Sequence, residues 1–346
     1  MASDSAPTPL TSLTREQLKE TLSTIGQPSY RSDQIIRWLY QRGASSYDQM
    51  TDLPKSLREQ LAEIHPLQAP SMVDRQISSD GTRKYLLSFS DGALVETVGI
   101  PSRDNRLTVC FSTQVGCPMG CVFCATGYEG FTRNLSCGEI LQQLTLVQDD
   151  FGRRITNLVA MGQGEPFLNF DAVAEALAIA NSKKGLNIGA RKITVSTCGI
   201  ISGIQKFAEI DKQYTMAVSL HAARQSVRDL IMPHAASQPL AKLKQALIDY
   251  LEATNRRVTI EYTLIDGMND SDKDLSALLS FLSGLLCHVN LIPLNKVEDS
   301  PFQPSQDGVI ERWLEAITAR GVEATIRHSK GQDIFGACGQ LKNHCR

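Results

Sequence analysis

The stretch Leu107-Thr-Val-Cys-Phe111 is followed closely by Cys117-Pro-Met-Gly-Cys121-Val-Phe-Cys124, so a short apolar run leads into three closely spaced cysteines. The run is typical of a buried strand, and the cysteines lie in the loop that follows it. The chain has 9 cysteines, an odd number. In a reducing compartment thiols stay free unless a metal or a chemical role holds them. We therefore expect this loop to hold a metal centre.

Beyond the loop, short β-branched runs alternate with segments long enough for amphipathic helices. The predicted strands are Leu107–Phe111, Leu158–Met161, Ile193–Ser196, Met216–Leu220, Val258–Leu264, Val289–Pro293 and Val322–Arg327. This alternation predicts an α/β fold of about six β-α units with a parallel sheet. The sheet is expected to be open or curled into a partial (β/α)6 barrel.

Upstream of the loop the pattern is different. Apolar residues three and four apart from Leu13 to about Leu67 predict helices. The pairs Asp80-Gly81 and Asp91-Gly92 punctuate β-rich runs and predict hairpin turns. The predicted domains are a helical accessory domain with disordered first residues, a β-hairpin bridge, the barrel and a C-terminal tail, at residues 1–70, 71–105, 106–328 and 329–346.

Composition excludes several classes of protein. The 346 residues are 42% hydrophobic and 21% charged, and 35 Lys+Arg against 37 Asp+Glu give a net charge of -2. These values exclude a disordered chain and a uniformly basic nucleic-acid coat, but not a local basic groove. The stretch Leu275 to Asn295 has no charged residue yet is interrupted by polar ones, which predicts a packed helix running into a buried strand. Met1 to Ser12 lacks the features of a secretory signal. We expect a cytoplasmic monomer with no membrane partner.

The chemistry of the cysteine loop can be narrowed from its ligand count. Three thiolates suit an iron-sulfur cube in which one iron stays open to chelate the amino and carboxylate groups of a small molecule. A structural zinc site normally has four ligands, and the sequence offers no matching second pair of cysteines. Two alternatives stay open: a zinc loop completed by a distant His or Cys, and buried thiols that act as small hydrophobic side chains.

The residues around the loop resemble the RlmN and Cfr branch of the radical S-adenosylmethionine superfamily, which methylates RNA. The resemblance covers nearly the whole chain. The motifs that carry it are Ser112-Thr-Gln-Val-Gly-Cys117, Phe123-Cys-Ala-Thr-Gly127, Gly162-Gln-Gly-Glu-Pro166, Ser196-Thr-Cys-Gly199, Ser219-Leu-His221, Asn290-Leu-Ile-Pro-Leu-Asn295 and Ala337-Cys-Gly-Gln-Leu341. The cysteine loop alone indicates only the superfamily, whereas the ordered set with the tail indicates the branch.

The resemblance implies two cofactors and the residues that bind them. A 4Fe-4S cluster would be held by Cys117, Cys121 and Cys124, and S-adenosylmethionine would serve as methyl donor and as the source of a 5'-deoxyadenosyl radical. The residues that match the family's cofactor contacts are Gly164, Glu165, Ser196, Ser219, Leu220, His221 and Asn295. Independently of the resemblance, these residues lie at or just beyond the ends of predicted strands, where α/β sites are built. Taken singly, each could also be a turn glycine, an exposed carboxylate or a packed imidazole.

The resemblance also implies catalytic roles for Cys338, Cys110 and Glu96. The C2 carbon of adenine is electron-poor and has no lone pair, so it cannot displace a methyl group from a sulfonium. A thiolate can. By the resemblance Cys338 carries the methyl group, Cys110 releases the product through a transient disulfide, and Glu96 accepts a proton. The ordinary alternatives are a core thiol for Cys110 and a solvent-facing carboxylate for Glu96. The glycine-rich stretch Gly331 to Gly339 predicts a mobile tail that can fold over the site.

The implied activity is methylation of C2 of a specific adenine in the peptidyl-transferase region of 23S rRNA and of the adenine 3' of the anticodon in tRNA. It uses two S-adenosylmethionine molecules, an S-methylcysteine intermediate and an electron donor such as flavodoxin or ferredoxin. The helical N-terminal domain would dock RNA. Basic residues near the cluster and in the tail would contact phosphate: Arg103, Arg106, Arg133, Arg153, Arg154, Arg320, Arg327, Lys330, Lys342 and Arg346. Three other functions stay open: a Cfr-type C8 methyltransferase, a glycyl-radical activating enzyme and a non-enzymatic zinc RNA-binding module.

The chain departs from the family pattern at a few positions. Gln163 stands where a methionine is expected, Cys198 stands where a serine is common, and His328-Ser329-Lys330 replaces the more frequent Lys-Thr-Arg. These departures bear on substrate preference rather than on reaction type. No role is predicted for the remaining cysteines, which are Cys137, Cys198, Cys287 and Cys345.

Overall fold

The computed structural model describes residues 8–298 and 300–343, and the structural statements below concern those residues. The helices are α1 Arg15–Thr24, α2 Arg31–Tyr40, α3 Lys55–Ile64, α4 Ala125–Glu129, α5 Cys137–Phe151, α6 Phe170–Asn181, α7 Ile201–Ala208, α8 Gln225–Ile231, α9 Leu240–Thr254, α10 Asp272–Leu282 and α11 Asp307–Thr318. The strands are β1 Ser71–Ile77, β2 Arg83–Ser88, β3 Leu94–Pro101, β4 Leu107–Cys110, β5 Gln114–Gly116, β6 Phe131–Asn134, β7 Asn157–Ala160, β8 Ile193–Thr197, β9 Thr215–Ser219, β10 Val258–Leu264, β11 Cys287–Pro293 and β12 Glu323–Ile326.

A ten-stranded sheet in the order β1-β2-β3-β4-β7-β8-β9-β10-β11-β12 forms the body of the molecule. Every pair from β4 onward is parallel. Helices connect most of the parallel strands, as parallel crossovers require. The two edge strands, β1 and β12, do not pair with each other in the described part of the chain, so the barrel is partial. The predicted fold class is confirmed.

The parallel strands form where the sequence predicts them because they are nearly continuous apolar runs, as strands covered on both faces must be. Strand β10 coincides with the predicted Val258–Leu264, and the other boundaries differ by a residue or two. The uncharged stretch from Leu275 lies in α10 and β11, a packed helix and a buried strand as predicted. Among the described residues no helix is long and apolar enough to span a membrane.

The predicted hairpin region, residues 71–105, forms the antiparallel part of the main sheet. Strands β1, β2 and β3 are antiparallel, and β3 pairs antiparallel with β4, which places Val98 opposite Cys110. Both predicted turns are present, with Gly81 and Gly92 at positive φ. Through β3, the hairpin region therefore reaches the strand that leads into the cysteine loop.

The N-terminal helices share one continuous core with the barrel. Leu18, Ile35 and Leu61 are buried in the same hydrophobic cluster as the strands of the sheet. Gly138 in α5 lies directly against the backbone carbonyl of Thr11, so that a side chain at this glycine would collide with the N-terminal segment. The predicted helices are thus present, and they are packed firmly on one side of the barrel.

A short two-stranded sheet, β5 with β6, encloses the cysteine loop and was not predicted from the sequence. Gly116 ends β5 with a φ of 73°, a conformation that glycine adopts without strain. Its Cα lies directly against the carbonyl of Gly130, which also accepts a hydrogen bond from the Cys117 amide at 2.7 Å. These contacts fix the point at which the chain enters the loop.

Candidate active site

A cavity opens at the edge of the sheet where the parallel strands end, which is the edge at which barrel enzymes carry their sites. Most of the predicted site residues line it. They are Cys117, Cys121, Cys124, Gly164, Glu165, Ser196, Ser219, His221, Asn295 and Cys338. Cys110, Glu96 and Leu220 are buried close by and do not line it. The structure therefore gathers residues far apart in sequence into one place.

Backbone hydrogen bonds hold the cysteine loop in shape. The Cys124 amide donates to the Cys121 carbonyl at 3.1 Å, and the Val122 amide donates to the Ile231 carbonyl at 3.0 Å. Burial raises the pKa of the Cys117 thiol and raises that of Cys124 to about 11. Because metal ligation needs thiolates, a cationic centre must displace these protons when it binds.

A fourth thiol, which the sequence did not indicate, lies beside the loop. A hydrogen bond to Cys121, followed by burial, raises the pKa of Cys198. Cys198 is thus the distant cysteine that the zinc alternative requires. Among the described residues no three His, Cys, Asp or Glu side chains are arranged to hold a single metal ion, so metal analysis of the protein decides between zinc and an iron-sulfur cluster.

The turn after β7 places Gly164 and Glu165 at the cavity. Gly164 has a φ of 101°, and a Cβ there would lie 2.6 Å from the Cβ of Gln114, so only glycine fits. The buried Glu165 carboxylate accepts hydrogen bonds from the amides of Phe167 at 3.0 Å and Cys198 at 2.6 Å. Burial raises the pKa of Glu165, and these two bonds oppose the rise. Both carboxylate oxygens are therefore fixed at the wall of the cavity.

Strands β8 and β9 end beside each other and present hydroxyl groups. The Oγ atoms of Ser196 and Ser219 lie 3.3 Å apart. His221 follows at a φ of 53°, and its Nδ1 accepts the Thr263 amide at 3.0 Å, which leaves the proton of the neutral ring on Nε2. Burial, together with the charge of Arg228, lowers the pKa of His221 to about 3. The imidazole is thus a neutral, packed wall of the site.

The C-terminal tail is folded over the cavity and brings Cys338 into it. The Asn295 side chain, just after β11, donates to the Cys338 carbonyl at 3.0 Å and accepts from the Gln332 side chain at 2.8 Å. Cys338 is half-buried and lines the cavity together with the three loop cysteines. The sequence predicted that the tail can reach the site, and the structure shows it docked there.

Three further hydrogen bonds fasten the tail to the cysteine loop and to β3. The Gly339 carbonyl accepts the Ala125 amide at 2.7 Å, and the Leu341 carbonyl accepts the Thr126 hydroxyl at 2.8 Å. The Lys342 amide donates to the Glu96 carboxylate at 2.8 Å. Because α4 begins directly after Cys124, the tail and the predicted cluster loop are held as one unit.

Cys110 and Glu96 lie on neighbouring strands beneath the tail. Cys110 packs with Val98 and Leu341 in a small apolar cluster. Burial, with the charge of Cys338 next, raises the pKa of Cys110 to about 12, while Arg327 opposes the rise. The Glu96 side chain is 1% exposed and pairs with the buried Lys84 at 2.8 Å, so it does not face solvent.

The predicted phosphate contacts divide into surface and cavity residues. Arg106 and Lys330 each form an ion pair with a nearby aspartate at the surface, and these exposed pairs are weak enough for phosphate groups to compete for them. Arg133 is held more firmly, because it pairs with both Asp91 and Glu139. Arg327, by contrast, lines the cavity, which the sequence did not indicate. Arg346 and Cys345 lie outside the described residues.

The sequence was compared with models of protein families and with known proteins to identify its family. Residues 8–66 match the model of the ribosomal RNA large subunit methyltransferase N-terminal domain, and residues 111–279 match the radical SAM superfamily model. The chain is 44% identical to a probable dual-specificity RNA methyltransferase RlmN of Clostridioides difficile, over 96% of this chain and 97% of that protein. It is equally identical to a protein of the same description from Gloeobacter violaceus, over 97% and 95%.

The chain belongs to the RlmN family. A crystal structure of a radical SAM methyltransferase from Sphaerobacter thermophilus has 45% identity to this chain and a TM-score of 0.91, and the match covers 98% of this chain and 100% of that one. The radical SAM family to which RlmN proteins belong implies a 4Fe-4S cluster and S-adenosylmethionine. The donor set fits them, since three thiols line one cavity with a glycine cradle at Gly164.

Proposed function

We propose that the protein methylates C2 of adenine in 23S rRNA and in tRNA, with Cys338 as the carrier of the methyl group. One observation carries the proposal: the tail places Cys338 in the cavity that the three loop cysteines also line, with Cys110 buried beside it. An enzyme that only generates a radical has no use for a thiol there. The RlmN relatives and the methyltransferase structure support the same reaction.

The chain's own residues divide the work of binding. Cys117, Cys121 and Cys124 would hold a 4Fe-4S cluster through three of its irons. Gly164, Glu165, Ser196, Ser219, His221 and Asn295 would hold S-adenosylmethionine, and the buried Leu220 would shape the backbone between Ser219 and His221. When bound, the two groups supply a transferable methyl group and one-electron chemistry. The neutral His221 would add no positive charge to a site that binds a sulfonium cation.

Cys338 and Cys110 have complementary tasks in the proposed reaction. The Cys338 thiolate would accept a methyl group from S-adenosylmethionine, with S-adenosylhomocysteine as the leaving group. After a 5'-deoxyadenosyl radical takes one hydrogen atom from that methyl group, the carbon would bond to adenine C2 while still attached to sulfur. The adduct would then lose the C2 proton and one electron, which an oxidised cluster would accept. The Cys110 thiolate attacks the Cys338 sulfur, so that a disulfide forms and the sulfur-carbon bond breaks. The carbon keeps the electron pair of the broken bond and takes a proton. Glu96 is the proposed acceptor of the proton lost from C2, and it contacts the tail through the Lys342 amide.

Partners follow from the proposed substrate. RNA approaches the open face at the ends of the strands, and a flavodoxin or ferredoxin supplies electrons. The helices at residues 1–70 form the proposed RNA-docking part, in agreement with the match to a ribosomal RNA methyltransferase N-terminal domain. Residues 71–105, 106–328 and 329–346 then serve as sheet extension, barrel and carrier tail. We propose a cytoplasmic monomer.

The test is mass analysis of adenine from RNA treated with reconstituted enzyme under anaerobic conditions. We expect 2-methyladenine with the wild-type chain and none with Cys338→Ser. Cys287→Ala is the matched control, because Cys287 is buried at the opposite end of β11 and should leave the product unchanged. Product methylated at C8 would indicate the Cfr-type reaction. A colourless protein that contains zinc and no iron would indicate the zinc module.

A further inference from the structure

The cavity contains one strong positive charge. In the part of the chain that the structure describes, Arg327 is the one Lys or Arg that lines it, and the carboxylates of Glu165 and Glu261 line it as well. His221 stays neutral, because burial lowers its pKa to about 3. Arg327 follows β12, the last strand of the sheet, and its amide donates to the Leu291 carbonyl at 2.8 Å. This hydrogen bond fixes the backbone from which the Arg327 side chain extends.

The contacts of the Arg327 side chain leave it available to a further anion. Its Nη1 lies 3.6 Å from the Met161 sulfur and 3.6 Å from Glu261 Oε2. The second distance is that of an ion pair without a hydrogen bond. Glu261 Oε2 is buried and has no hydrogen-bond partner among the described residues, while Oε1 accepts the Asn290 amide group at 2.9 Å. Glu261 therefore holds the guanidinium without using up its donors.

The two thiols of the proposed reaction are the anions in question. Met161 packs against the apolar cluster that contains Cys110. The negative charge of Cys338 is the largest cause that raises the pKa of Arg327, and Glu261 and Cys110 act in the same direction. Conversely, Arg327 opposes the effect of burial, which raises the pKa of Cys110 to about 12. Arg327 and Cys338 line the same cavity, and the Arg327 guanidinium contacts Met161, which packs against the cluster that contains Cys110. A single guanidinium therefore lies close to both sulfurs.

We propose that Arg327 stabilises the thiolate forms of Cys338 and Cys110 in turn, and that Glu261 holds the guanidinium between them. The inference rests on the proposed function, since it assigns a role within that reaction. Both steps need a thiolate, because the thiol is a poor nucleophile, and the cavity offers no second cation in the described residues. Arg327 thus acts on the reacting sulfurs rather than on RNA phosphate.

The first test is the rate at which iodoacetamide alkylates Cys338 in the full-length holoenzyme, followed by peptide mass spectrometry at one fixed pH. We expect Arg327→Gln to slow alkylation about tenfold, because the thiolate is the form that reacts and the variant removes the positive charge beside it. Arg327→Lys keeps the charge and should retain most of the rate. Arg257→Gln is the matched control, because Arg257 pairs with Glu323 at the opposite ends of β10 and β12. An unchanged rate in Arg327→Gln would overturn the inference.

A second variant, which should change the alkylation rate in the opposite direction, separates an electrostatic role of Arg327 from a structural one. Glu261→Gln removes the competing negative charge but keeps a side chain of the same shape beside the guanidinium, so Arg327 stays in place and alkylation of Cys338 should be faster. A merely structural ion pair would give the same direction of change in both variants, and slower alkylation in Glu261→Gln would contradict the proposal. The measurement on Glu261→Gln tests the proposal even if Arg327→Gln does not fold.

A second readout follows the later step. The ratio of covalent protein-RNA adduct to released methylated RNA should rise in Arg327→Gln, because Cys110 attacks more slowly. A ratio equal to that of the wild type would contradict this part of the inference. The failure of the two proposals is distinguishable. If wild-type Cys338 is never methylated, the proposed function is wrong. If Cys338 is methylated but Arg327→Gln does not change its rate of alkylation, only the inference about Arg327 is wrong.

Discussion

His221 should make the folded chain sensitive to mild acid. The imidazole is 6% exposed, its Nδ1 accepts the Thr263 amide, and burial lowers its pKa from 6.5 to about 3. Above pH 6.5 the ring is neutral in both the folded and the unfolded chain. Between pH 6.5 and about 3 the imidazole is protonated in the unfolded chain and neutral in the folded chain, so the free energy of unfolding decreases as the pH falls.

The magnitude follows from that difference in pKa. Each pH unit below 6.5 costs about 1.4 kcal/mol, so that lowering the pH to 5 should cost about 2 kcal/mol through this residue alone. The free energy of unfolding is measured by urea denaturation at pH 7 and pH 5, in the wild type and in His221→Asn. Asparagine can accept the Thr263 amide and tolerates a positive φ.

Wild type should lose about 2 kcal/mol more than His221→Asn between the two pH values. His328→Gln serves as the control, since His328 is exposed and should lose as much as the wild type. Equal losses in the wild type and in His221→Asn would show that the imidazole is protonated in the folded chain. The description of a neutral, packed wall would then be wrong.

Three further predictions concern the turn after β7, the fourth thiol and the buried ion pair. Gly164→Ala forces a side chain against Gln114 at a φ of 101°, so we expect a loss of about 1–3 kcal/mol in stability and loss of S-adenosylmethionine binding, measured by equilibrium dialysis. Cys198→Ser should keep the iron and sulfide content of the reconstituted protein, and a drop in iron would make Cys198 a ligand. Lys84→Met leaves the Glu96 carboxylate buried without its partner, so it should lower the free energy of unfolding by about 3–5 kcal/mol, measured by urea denaturation. Adding Glu96→Gln should restore part of that loss. A double variant as unstable as Lys84→Met would argue against the ion pair.

The parallel strands could be predicted because apolar, β-branched runs are a local property of the sequence. Strand β10 begins and ends where the sequence places it. The short strands β5 and β6 were missed, since runs of three and four residues carry little periodic signal. The two hairpin turns could be predicted from local sequence, whereas the pairing of β3 with β4 depends on tertiary contacts.

The site residues that belong to sequence motifs could be predicted. Cys117, Cys121, Cys124 and Cys338 line one cavity, as expected. The inward position of Arg327 was missed because a basic residue near a chain end is usually solvated, and only the pairing of β12 with β11 turns it toward the cavity. The contact of Cys198 with Cys121 joins loops far apart in sequence and has no local signal.

The docked tail explains how a glycine-rich segment can present a reactive sulfur. Gly339 has a φ of 81°, and its carbonyl is bound by the amide of Ala125. Asn295 holds the Cys338 carbonyl from the other side. The sequence indicated mobility from glycine content, whereas the structure shows that hydrogen bonds to the carbonyls of Cys338 and Gly339 define the position of this segment.

The mass of the peptide that contains Cys338 tests the central claim most directly. The chain is reconstituted anaerobically with iron and sulfide, given S-adenosylmethionine without RNA, digested and analysed by mass spectrometry. We predict that Cys338 gains the mass of one methyl group in place of a hydrogen, while Cys287 stays unmodified. An unmodified Cys338 in a preparation that still methylates RNA would contradict the account.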